Sequence, residues 1–279
     1  MTQRPRLDEL LVTRGLAADI HEARALVMAG EVVVGQHRET AAGLRLCPDA
    51  ELRVKRSREK RHLGYVSRGG AKLAHALDEF GLEVAGASCA DLGCSTGGFT
   101  DCLLGRGAAH VSAVDVGRAD FDWRLRNDAR VSLHERTNVR GADVAAIGGP
   151  FDVVACDLSF ISLARVAHDV YRMLCDGGAF VPLVKPQFEA GRDDVHDGGI
   201  VDAPETHVRV LRDVFAALRR CGFSVRALCY SPVRGARGNI EFLLLATKGQ
   251  RSGPWPDELA DGCIADVVGR AHDELGECA

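Results

Sequence analysis

A glycine-rich segment carries the strongest chemical signal in the sequence. It reads Asp91-Leu-Gly-Cys-Ser-Thr-Gly-Gly-Phe-Thr100 and lies between a predicted strand and a predicted helix. Glycines let the backbone approach a ligand closely, and the start of a helix offers free amides. Ser95 replaces the second glycine of a dinucleotide-binding G-x-G-x-x-G pattern, and no Gly-Lys-Ser/Thr of a phosphate loop follows. The segment therefore predicts a ligand site that is neither a dinucleotide-binding loop nor a phosphate-binding loop.

Two carboxylates indicate what the ligand is. Asp91, just before the turn, would repel a phosphate but would accept hydrogen bonds from an ammonium group, which favours S-adenosylmethionine as the cofactor. Asp115 ends the next predicted strand, 24 residues later, and is placed to accept hydrogen bonds from ribose hydroxyls. The alternative is an ordinary glycine-rich turn in which Asp91 caps the following helix.

Two further charged residues end predicted strands. Asp157 opens Asp-Leu-Ser-Phe, at the place where enzymes of this cofactor class that methylate exocyclic amines carry Asn/Asp-Pro-Pro-Tyr/Phe. The missing prolines argue against an amine acceptor, and the lack of a Pro-Cys or Thr-Cys context argues against a pyrimidine carbon. Lys185 ends an apolar strand, where a lysine is either a snorkelling edge residue or a functional amine. Because Asp157 ends the neighbouring strand, we favour the functional amine.

The elements that position these residues alternate between strands and helices. Strands are predicted over Ser88–Leu92, His110–Val114, 131–133, Phe151–Cys156, 179–184, Phe223–Tyr230 and 240–246. Helices are predicted over 98–104, 164–174 and 205–219, with an amphipathic helix in the tail after Pro256. This alternation predicts an α/β fold with a largely parallel sheet and helices on both faces, in which ligands bind beyond the carboxyl ends of the strands.

A smaller unit precedes this pattern. Leucines at helical spacing predict a first helix that ends at Gly15, and an Asp-x-x-Glu pattern at Asp19 predicts the start of a second helix. Short strands are predicted at 32–34 and 51–54. Two short helices and a few strands predict a small α+β domain.

The charge is distributed unevenly over the 279 residues. The whole chain carries −4, whereas residues 1–61 carry 12 basic and 9 acidic residues, a net of +3. The segment 53–61 holds six basic residues out of nine, which fits either a solvated linker or a phosphate-contacting surface. Attached to a basic module, the run favours contact with nucleic-acid phosphates.

Composition argues against several other classes of protein. The first residues lack the apolar core of a secretory signal, and no apolar run reaches the ~18–20 residues of a membrane span. The ten cysteines form no C-x-x-C pair, which predicts reduced thiols rather than disulfides or a zinc site. We therefore expect a cytoplasmic protein that binds no membrane and no metal.

Seven motifs spread from Arg6 to Lys248 resemble those of a known family. They read Arg6-Leu-Asp-Glu-Leu-Leu, Val66-Ser-Arg-Gly-Gly-Ala-Lys72-Leu, the segment from Asp91 to Thr100, Glu135-Arg-Thr-Asn-Val-Arg140, Asp157-Leu-Ser-Phe-Ile-Ser-Leu163, Leu183-Val-Lys-Pro-Gln-Phe-Glu189 and Gly238-Asn-Ile-Glu-Phe242. Together they resemble the hemolysin A/TlyA family of ribosomal RNA 2′-O-methyltransferases, whose catalytic part is FtsJ-like.

This resemblance implies a domain organisation. Residues 1–61 would form an RNA-binding domain of the alpha-L type, and 62–67 would connect it to the catalytic domain. Residues 68–248 would form an FtsJ-like domain with the Rossmann-like sheet of class I methyltransferases, followed by a helical tail over 249–279.

The resemblance also implies the roles of individual residues. A catalytic tetrad maps onto Lys72, Asp157, Lys185 and Glu241, although helical spacing alone would place Lys72 on the protein surface. The implied cofactor-binding residues are Asp91, Gly93, Ser95, Thr96, Gly97, Gly98, Phe99, Asp115, Asn138 and Asp157. The expected RNA-binding residues are Arg4, Arg6, Arg14, Arg24, Lys55, Arg56, Arg58, Lys60, Arg61 and Arg68.

The implied reaction is methyl transfer from S-adenosylmethionine to a ribose 2′-hydroxyl, with cytidine as the family expectation, in ribosomal RNA or ribosomal subunits. Lys185 would lie nearest the hydroxyl as its base or as the donor that stabilises its oxyanion, and no metal is required. Two alternatives belong to other classes: a membrane-active hemolysin, as the family name suggests, and a catalytically silent ribosome-binding factor.

Overall fold

The computed structural model describes residues 4–17, 19–28, 32–35, 37–39, 41–54, 64–118, 120–196, 198–235, 237–260 and 262–276. The chain divides into two compact units, Met1–Arg61 and His62–Ala279.

The first unit contains two helices and a three-stranded antiparallel sheet. Its elements are α1 (Leu7–Thr13), α2 (Ile20–Met28), β1 (Val32–Val34), β2 (His37–Glu39) and β3 (Leu52–Val54), with strand order β2-β1-β3. Leu7 and Leu11 of α1 pack with α2 and β1 in one apolar core. Strand β2 was not predicted because it reads His-Arg-Glu and therefore lacks the apolar alternation of a strand.

The second unit begins with α3 and ends with α9. Its helices are α3 (Arg68–Phe80), α4 (Gly98–Gly105), α5 (Trp123–Arg126), α6 (Ala167–Met173), α7 (Pro186–Glu189), α8 (Pro204–Arg220) and α9 (Gly262–Gly276). Its strands are β4 (Ser88–Leu92), β5 (His110–Val114), β6 (Val131–His134), β7 (Phe151–Cys156), β8 (Leu174–Val184), β9 (Phe223–Tyr230) and β10 (Phe242–Lys248).

These seven strands form one sheet in the order β6-β5-β4-β7-β8-β10-β9. The five strands from β6 to β8 are parallel, and β10 runs antiparallel between β8 and β9. Apolar side chains cover both faces: α3 and α4 pack on one face, and α6, α8 and α9 pack on the other. The predicted α/β fold with helices on both faces is confirmed.

The sheet brings four charged residues together at the carboxyl ends of its parallel strands, which we call the carboxyl edge of the sheet. Asp115, Asp157 and Lys185 follow the last residues of β5, β7 and β8, as predicted. Glu241 precedes the first residue of antiparallel β10, whose Phe242 pairs with Val184 at the end of β8. Glu241 therefore reaches the same edge from the opposite chain direction.

Some predicted boundaries were wrong. The helix predicted over 164–174 is a 3₁₀ turn at Leu163–Arg165 followed by α6, and Leu174 already belongs to β8, where it pairs with Phe151. The strand predicted over 240–246 starts two residues later, so Glu241 lies before the strand rather than inside it. The one-turn helices α5 and α7 are too short to produce a periodic pattern.

Two further observations concern the described residues only. None of their helices is both long enough and apolar enough to span a membrane. The nine cysteines among them are free thiols, and five of these are buried.

Candidate active site at the carboxyl edge of the sheet

The glycine-rich loop runs from the end of β4 to the start of α4. Gly93 has φ +85°, and a Cβ atom there would lie 2.6 Å from the carbonyl oxygen of Asp157. Gly97 has φ +93°, and its missing side chain leaves space for Phe121 and Leu125. Ser95 also adopts a left-handed backbone conformation, with φ 48°. The loop therefore needs glycine at positions 93 and 97 because of close contacts as well as backbone angle.

Asp91 is fully buried at the base of this loop. Its Oδ2 accepts hydrogen bonds from the backbone N–H (2.9 Å) and the hydroxyl (2.7 Å) of Thr100. Its Oδ1 is also buried and has no hydrogen-bond partner within the described parts of the chain. Burial raises the pKa of Asp91 to about 7, and the nearby Asp157 and Asp115 add to this effect. A buried acceptor without a donor fits the ammonium group of an amino-acid cofactor.

Asp115 links the loop to the end of β5. Its Oδ2 accepts a hydrogen bond from the Ser95 N–H (3.0 Å), and its Oδ1 accepts one from the Gly117 N–H (2.8 Å). Each carboxylate oxygen has a second lone pair, which leaves room for the predicted ribose hydroxyls. The next residue, Val116, is apolar yet 71% exposed. An exposed valine at this position offers a flat apolar contact that sequence reasoning missed.

The other predicted cofactor residues surround the loop to different degrees. The Thr96 carbonyl oxygen accepts a hydrogen bond from the Asp122 N–H (3.2 Å). Phe99 is buried against α3. Asn138 is exposed, and its side-chain oxygen caps a turn by accepting the Arg140 N–H (2.9 Å). Its role toward a cofactor stays a prediction.

Lys185 lies between Asp157 and Ser159. Its ammonium nitrogen is 2.6 Å from Asp157 Oδ1 and donates a hydrogen bond to Ser159 Oγ at 3.0 Å. The contact with Asp157 is an ion pair whose geometry is not that of a hydrogen bond. Both side chains stay partly exposed, so a polar group entering from solvent can reach the ammonium.

Lys72 and Glu241 form a second ion pair at the same edge of the sheet. The Lys72 ammonium contacts Glu241 Oε2, and the two side chains are 8% and 3% exposed. The surface position that helical spacing alone gave to Lys72 was wrong, because Glu241, just before β10, supplies a buried counter-charge. The structure thus brings two lysine–carboxylate pairs to the edge where the glycine-rich loop lies.

Glycines hold the helix that carries Lys72 against the loop. A Cβ atom on Gly70 would lie 2.9 Å from the Gly98 carbonyl oxygen, and one on Gly98 would lie 2.9 Å from the Gly70 nitrogen. The starts of α3 and α4 therefore touch backbone to backbone. Nearby, the Val66 N–H donates a hydrogen bond to Asp101 Oδ2 (2.9 Å), which holds the segment just before α3 against α4. The close approach of α3 to α4 explains why Gly70 ends the Ser-Arg-Gly-Gly motif.

The sequence profile of FtsJ-like methyltransferases matches residues 65–248, which contain all of these groups. TlyA of Mycobacterium tuberculosis, named a 16S/23S rRNA (cytidine-2′-O)-methyltransferase, is 42% identical over 275 residues, covering 98% of this chain and 99% of that protein. The chain belongs to the TlyA/hemolysin A family of FtsJ-like methyltransferases.

Other similar proteins in this TlyA/hemolysin A family carry different names. Hemolysin A of Brachyspira hyodysenteriae is 36% identical over 239 residues, covering 85% of this chain and 98% of that protein. The solved structure of a candidate hemolysin from Streptococcus thermophilus superposes with a TM-score of 0.73 at 39% identity, covering 99% of this chain and 98% of that one.

An exposed aromatic residue stands beside Lys185 in this family member. Phe160 is 88% exposed and has φ 64°, an unfavourable conformation for a bulky residue. Its ring lies 4.9 Å from the ring of Phe188, over which the Lys185 ammonium sits at 5.8 Å. Sequence reasoning missed Phe160; its only sequence signal was an aromatic residue within the Asp-Leu-Ser-Phe motif.

The arginines predicted to bind RNA in the first unit also hold that unit together. Asp8 is fully buried and accepts hydrogen bonds from Arg6 and Arg24, each at 2.9 Å. The Arg6 guanidinium, more than the Arg24 one, holds the pKa of Asp8 well below its usual range. Arg14 donates to the carbonyls of Ala50 and Pro48. Arg6, Arg14 and Arg24 thus have internal partners.

The remaining predicted RNA-binding residues divide into two groups. Arg4 in the first unit and Arg68, the first residue of α3, are exposed. Lys55, Arg56, Arg58, Lys60 and Arg61 lie outside the described residues. RNA binding by both groups stays a prediction.

Proposed function

We propose that this chain transfers a methyl group from S-adenosylmethionine to a ribose 2′-hydroxyl, of cytidine, in ribosomal RNA. The observation that carries the proposal is the position of the Lys185–Asp157 pair at the sheet edge that also holds the glycine-rich loop. The name of the Mycobacterium tuberculosis relative supports the cytidine 2′-hydroxyl and the ribosomal substrate. Such a substrate implies a cytoplasmic enzyme.

The loop residues would hold the cofactor, whose sulfonium supplies an electrophilic methyl group. Asp91 Oδ1 would accept hydrogen bonds from its ammonium, and the free lone pairs of Asp115 would accept from its ribose. Val116 would cover one face of its adenine. The loop backbone would lie close to the cofactor at Gly93, Ser95, Thr96, Gly97 and Gly98. Phe99 would support the loop from below, and Asn138 would lie at the rim of the cofactor site.

The acceptor hydroxyl is a poor nucleophile that must lose its proton as it attacks. The Lys185 ammonium is partly exposed and paired, and it would donate a hydrogen bond to the oxygen as negative charge develops there. The oxygen would gain the methyl group that the cofactor sulfonium supplies, and the sulfur would keep the electron pair of the broken sulfur–carbon bond. The hydroxyl proton would pass to the partly exposed Asp157 carboxylate, 2.6 Å from the Lys185 nitrogen. Asp157 would also hold the Lys185 ammonium in position through their ion pair, while Glu241 would hold Lys72 at the ribose or its adjacent phosphate.

Phe160 would receive the base of the target nucleotide. Enzymes that act on a nucleotide take it out of its stack, and exposed aromatic rings bind unstacked bases. Its exposure and its strained backbone beside Lys185 are typical of a residue kept for binding rather than for packing.

The first unit would place the enzyme on folded RNA. We assign RNA binding to residues 1–61, the connection to 62–67, catalysis to 68–248 and a helical tail to 249–279. Arg4, Arg68 and the basic residues from Lys55 to Arg61 would contact phosphates, while Arg6, Arg14 and Arg24 would do so with their exposed faces.

The test is transfer of labelled methyl from S-adenosylmethionine to ribosomal subunits that lack the modification, with the product nucleosides identified. We expect label in 2′-O-methylcytidine for the wild type and a loss of at least about 100-fold for Lys185→Ala. Lys248→Ala is a matched control, because Lys248 ends β10 at the opposite edge and donates to the Leu174 carbonyl.

Three outcomes would contradict the proposal. Label in a base would exclude ribose as the acceptor. Equal rates for Lys185→Ala and the wild type would exclude the role of Lys185. No label on either subunit, despite cofactor binding measured by calorimetry, would indicate a catalytically silent binding factor.

A further inference from the structure

We propose that the C-terminal helix α9, which follows the segment matched by the FtsJ-like profile, positions Glu241 for the reaction. The inference rests on the proposed methyl transfer. It is carried by two chains of hydrogen bonds that run from α9 to the residues just before Glu241.

The first chain starts at His272 of α9 and passes through His207 of α8. His207 Nε2 lies 3.0 Å from the Val201 carbonyl oxygen, which can only accept, so Nε2 carries the proton. His207 Nδ1 is then an acceptor and takes a hydrogen bond from His272 Nε2 at 2.9 Å. His207 is fully buried, and burial lowers its pKa to about 4. The pair therefore stays in this neutral arrangement at physiological pH.

Asn239 continues this chain from Val201 to the loop before Glu241. Its side-chain oxygen accepts the Val201 N–H (2.8 Å), and its side-chain nitrogen donates to the Gly199 carbonyl (2.9 Å). Asn239 is buried, and both ends of its amide are satisfied by the same backbone segment. His207 therefore holds the backbone at Val201, and Asn239 binds this same backbone two residues before Glu241.

The second chain starts at the carboxyl end of α9. Arg234 donates through Nε (3.1 Å) and Nη2 to the Leu275 carbonyl, and through Nη1 (2.7 Å) to the Gly238 carbonyl. A guanidinium there pairs with the negative end of the helix dipole. The neighbouring Gly235 touches the catalytic pair directly, since a Cβ atom on it would lie 3.0 Å from Glu241 Cδ.

These contacts assign α9 a task that its apolar packing alone would not require. The apolar packing of α9 uses Ile264, Val267, Val268 and Ala271, and neither His272 nor Arg234 belongs to this cluster. Through His207 and Val201, His272 connects α9 to Asn239 at one end of the loop that precedes Glu241. Arg234, at the other end of this loop, binds the Leu275 carbonyl of α9 directly. His272 and Arg234 act through other groups, so they are positioning residues and not catalytic ones.

The test compares His272→Leu, which removes the donor, with His272→Gln, which keeps an N–H at a similar reach. Asp266→Ala, exposed on the same helix, is the control. We expect His272→Leu to lower kcat about 10- to 100-fold with an unchanged cofactor Kd, because a small displacement of a catalytic group has this effect. His272→Gln and Asp266→Ala should stay within about twofold of the wild type on the same scale.

A second readout does not depend on activity. The chain has five lysines, so protein labelled with ¹³C at lysine Cε gives five resonances, and the Lys72 signal is assigned by its absence in Lys72→Arg. We expect His272→Leu to shift the Lys72 signal and His272→Gln to restore it. Should His272→Leu fail to fold, Arg234→Gln replaces it, with the same expected loss of kcat and the same shift.

The outcomes separate this inference from the proposed function. A wild-type Lys72 signal and kcat in both His272→Leu and Arg234→Gln would overturn the role of α9. Equal losses of kcat and cofactor affinity in His272→Leu and His272→Gln would indicate general destabilisation and would also overturn it. If the wild type transfers no methyl group, the proposed function fails, while the Lys72 signal still reports whether α9 positions Glu241.

Discussion

Lys72 and Glu241 are separated by 169 residues in the chain, yet they share a buried ion pair between helix α3 and the start of β10. Burying two charges has a desolvation penalty that their attraction offsets only when both are present. A pair of well-packed apolar residues would often be at least as stable. The pair is therefore better explained by its chemistry than by its contribution to stability.

Single and double substitutions in this pair should affect stability and activity differently. Glu241→Leu leaves the Lys72 charge buried without its partner and should lower the free energy of unfolding by roughly 3–5 kcal/mol. The double variant Lys72→Met/Glu241→Leu should recover most of that loss, as measured by chemical unfolding, and should still transfer no methyl group. A double variant as unstable as Glu241→Leu would contradict this account.

Cofactor affinity should depend on pH through Asp91. Burial raises the pKa of Asp91 to about 7 in the free protein, so the carboxyl is mostly neutral below that pH and ionised above it. An ammonium binds the ionised form, so the Kd for S-adenosylmethionine should rise by up to about tenfold per pH unit below 7. Calorimetry from pH 5.5 to 7.5 measures this, because the cofactor ammonium stays charged below its pKa of about 7.7–8.0.

The Asp91→Asn variant is the matched comparison for the pH experiment. Its amide can still accept from Thr100 but cannot ionise, so its cofactor affinity should be weak and independent of pH over the same range. A wild-type affinity without pH dependence would argue against Asp91 as the partner of the ammonium.

The contact between α3 and α4 should not tolerate a methyl group. In Gly70→Ala the new Cβ would lie 2.5 Å from Tyr65 Cβ and 2.9 Å from the Gly98 carbonyl oxygen, so both Tyr65 and the start of α4 must move away. We expect weaker cofactor binding together with a lower kcat, since the loop and Lys72 are both displaced. Gly105→Ala is the control: it lies at the end of α4 with open space around it and should keep full activity.

Phe160 should matter for RNA and not for stability. Because the ring is exposed, Phe160→Ala should leave the melting temperature unchanged while lowering kcat/KM for the RNA substrate. Stacking of a base on an aromatic ring is worth about 1–3 kcal/mol, which corresponds to roughly 5- to 150-fold. Phe160→Tyr should retain most of the activity, whereas equal kcat/KM values for Phe160→Ala and the wild type would exclude stacking.

The sequence predicted those parts of the site that follow from the topology of a parallel sheet. Asp115, Asp157 and Lys185 end apolar strands, and the carboxyl ends of parallel strands meet at one edge, so their proximity could be anticipated. The glycine-rich turn was equally visible, because glycine spacing reflects local backbone geometry.

Other parts depend on long-range contacts that no local pattern encodes. Helical spacing placed Lys72 on the surface, because its counter-charge Glu241 lies just before an antiparallel strand that is far along the chain. Arg6 and Arg24 look like free RNA-binding cations in the sequence, and only the folded unit brings both to Asp8. His207 and His272, 65 residues apart, were not recognised for the same reason.

Among the described residues β10 is the strand that comes last in sequence, but it lies inside the sheet, where it pairs with β8 on one side and β9 on the other. During synthesis the sheet therefore cannot be completed until all of β10, Phe242–Lys248, has left the ribosomal exit tunnel. A nascent chain that ends before Glu241 lacks both an interior strand and the partner of Lys72. Premature termination anywhere upstream of β10 should consequently give an inactive product, however much of the cofactor loop it already contains.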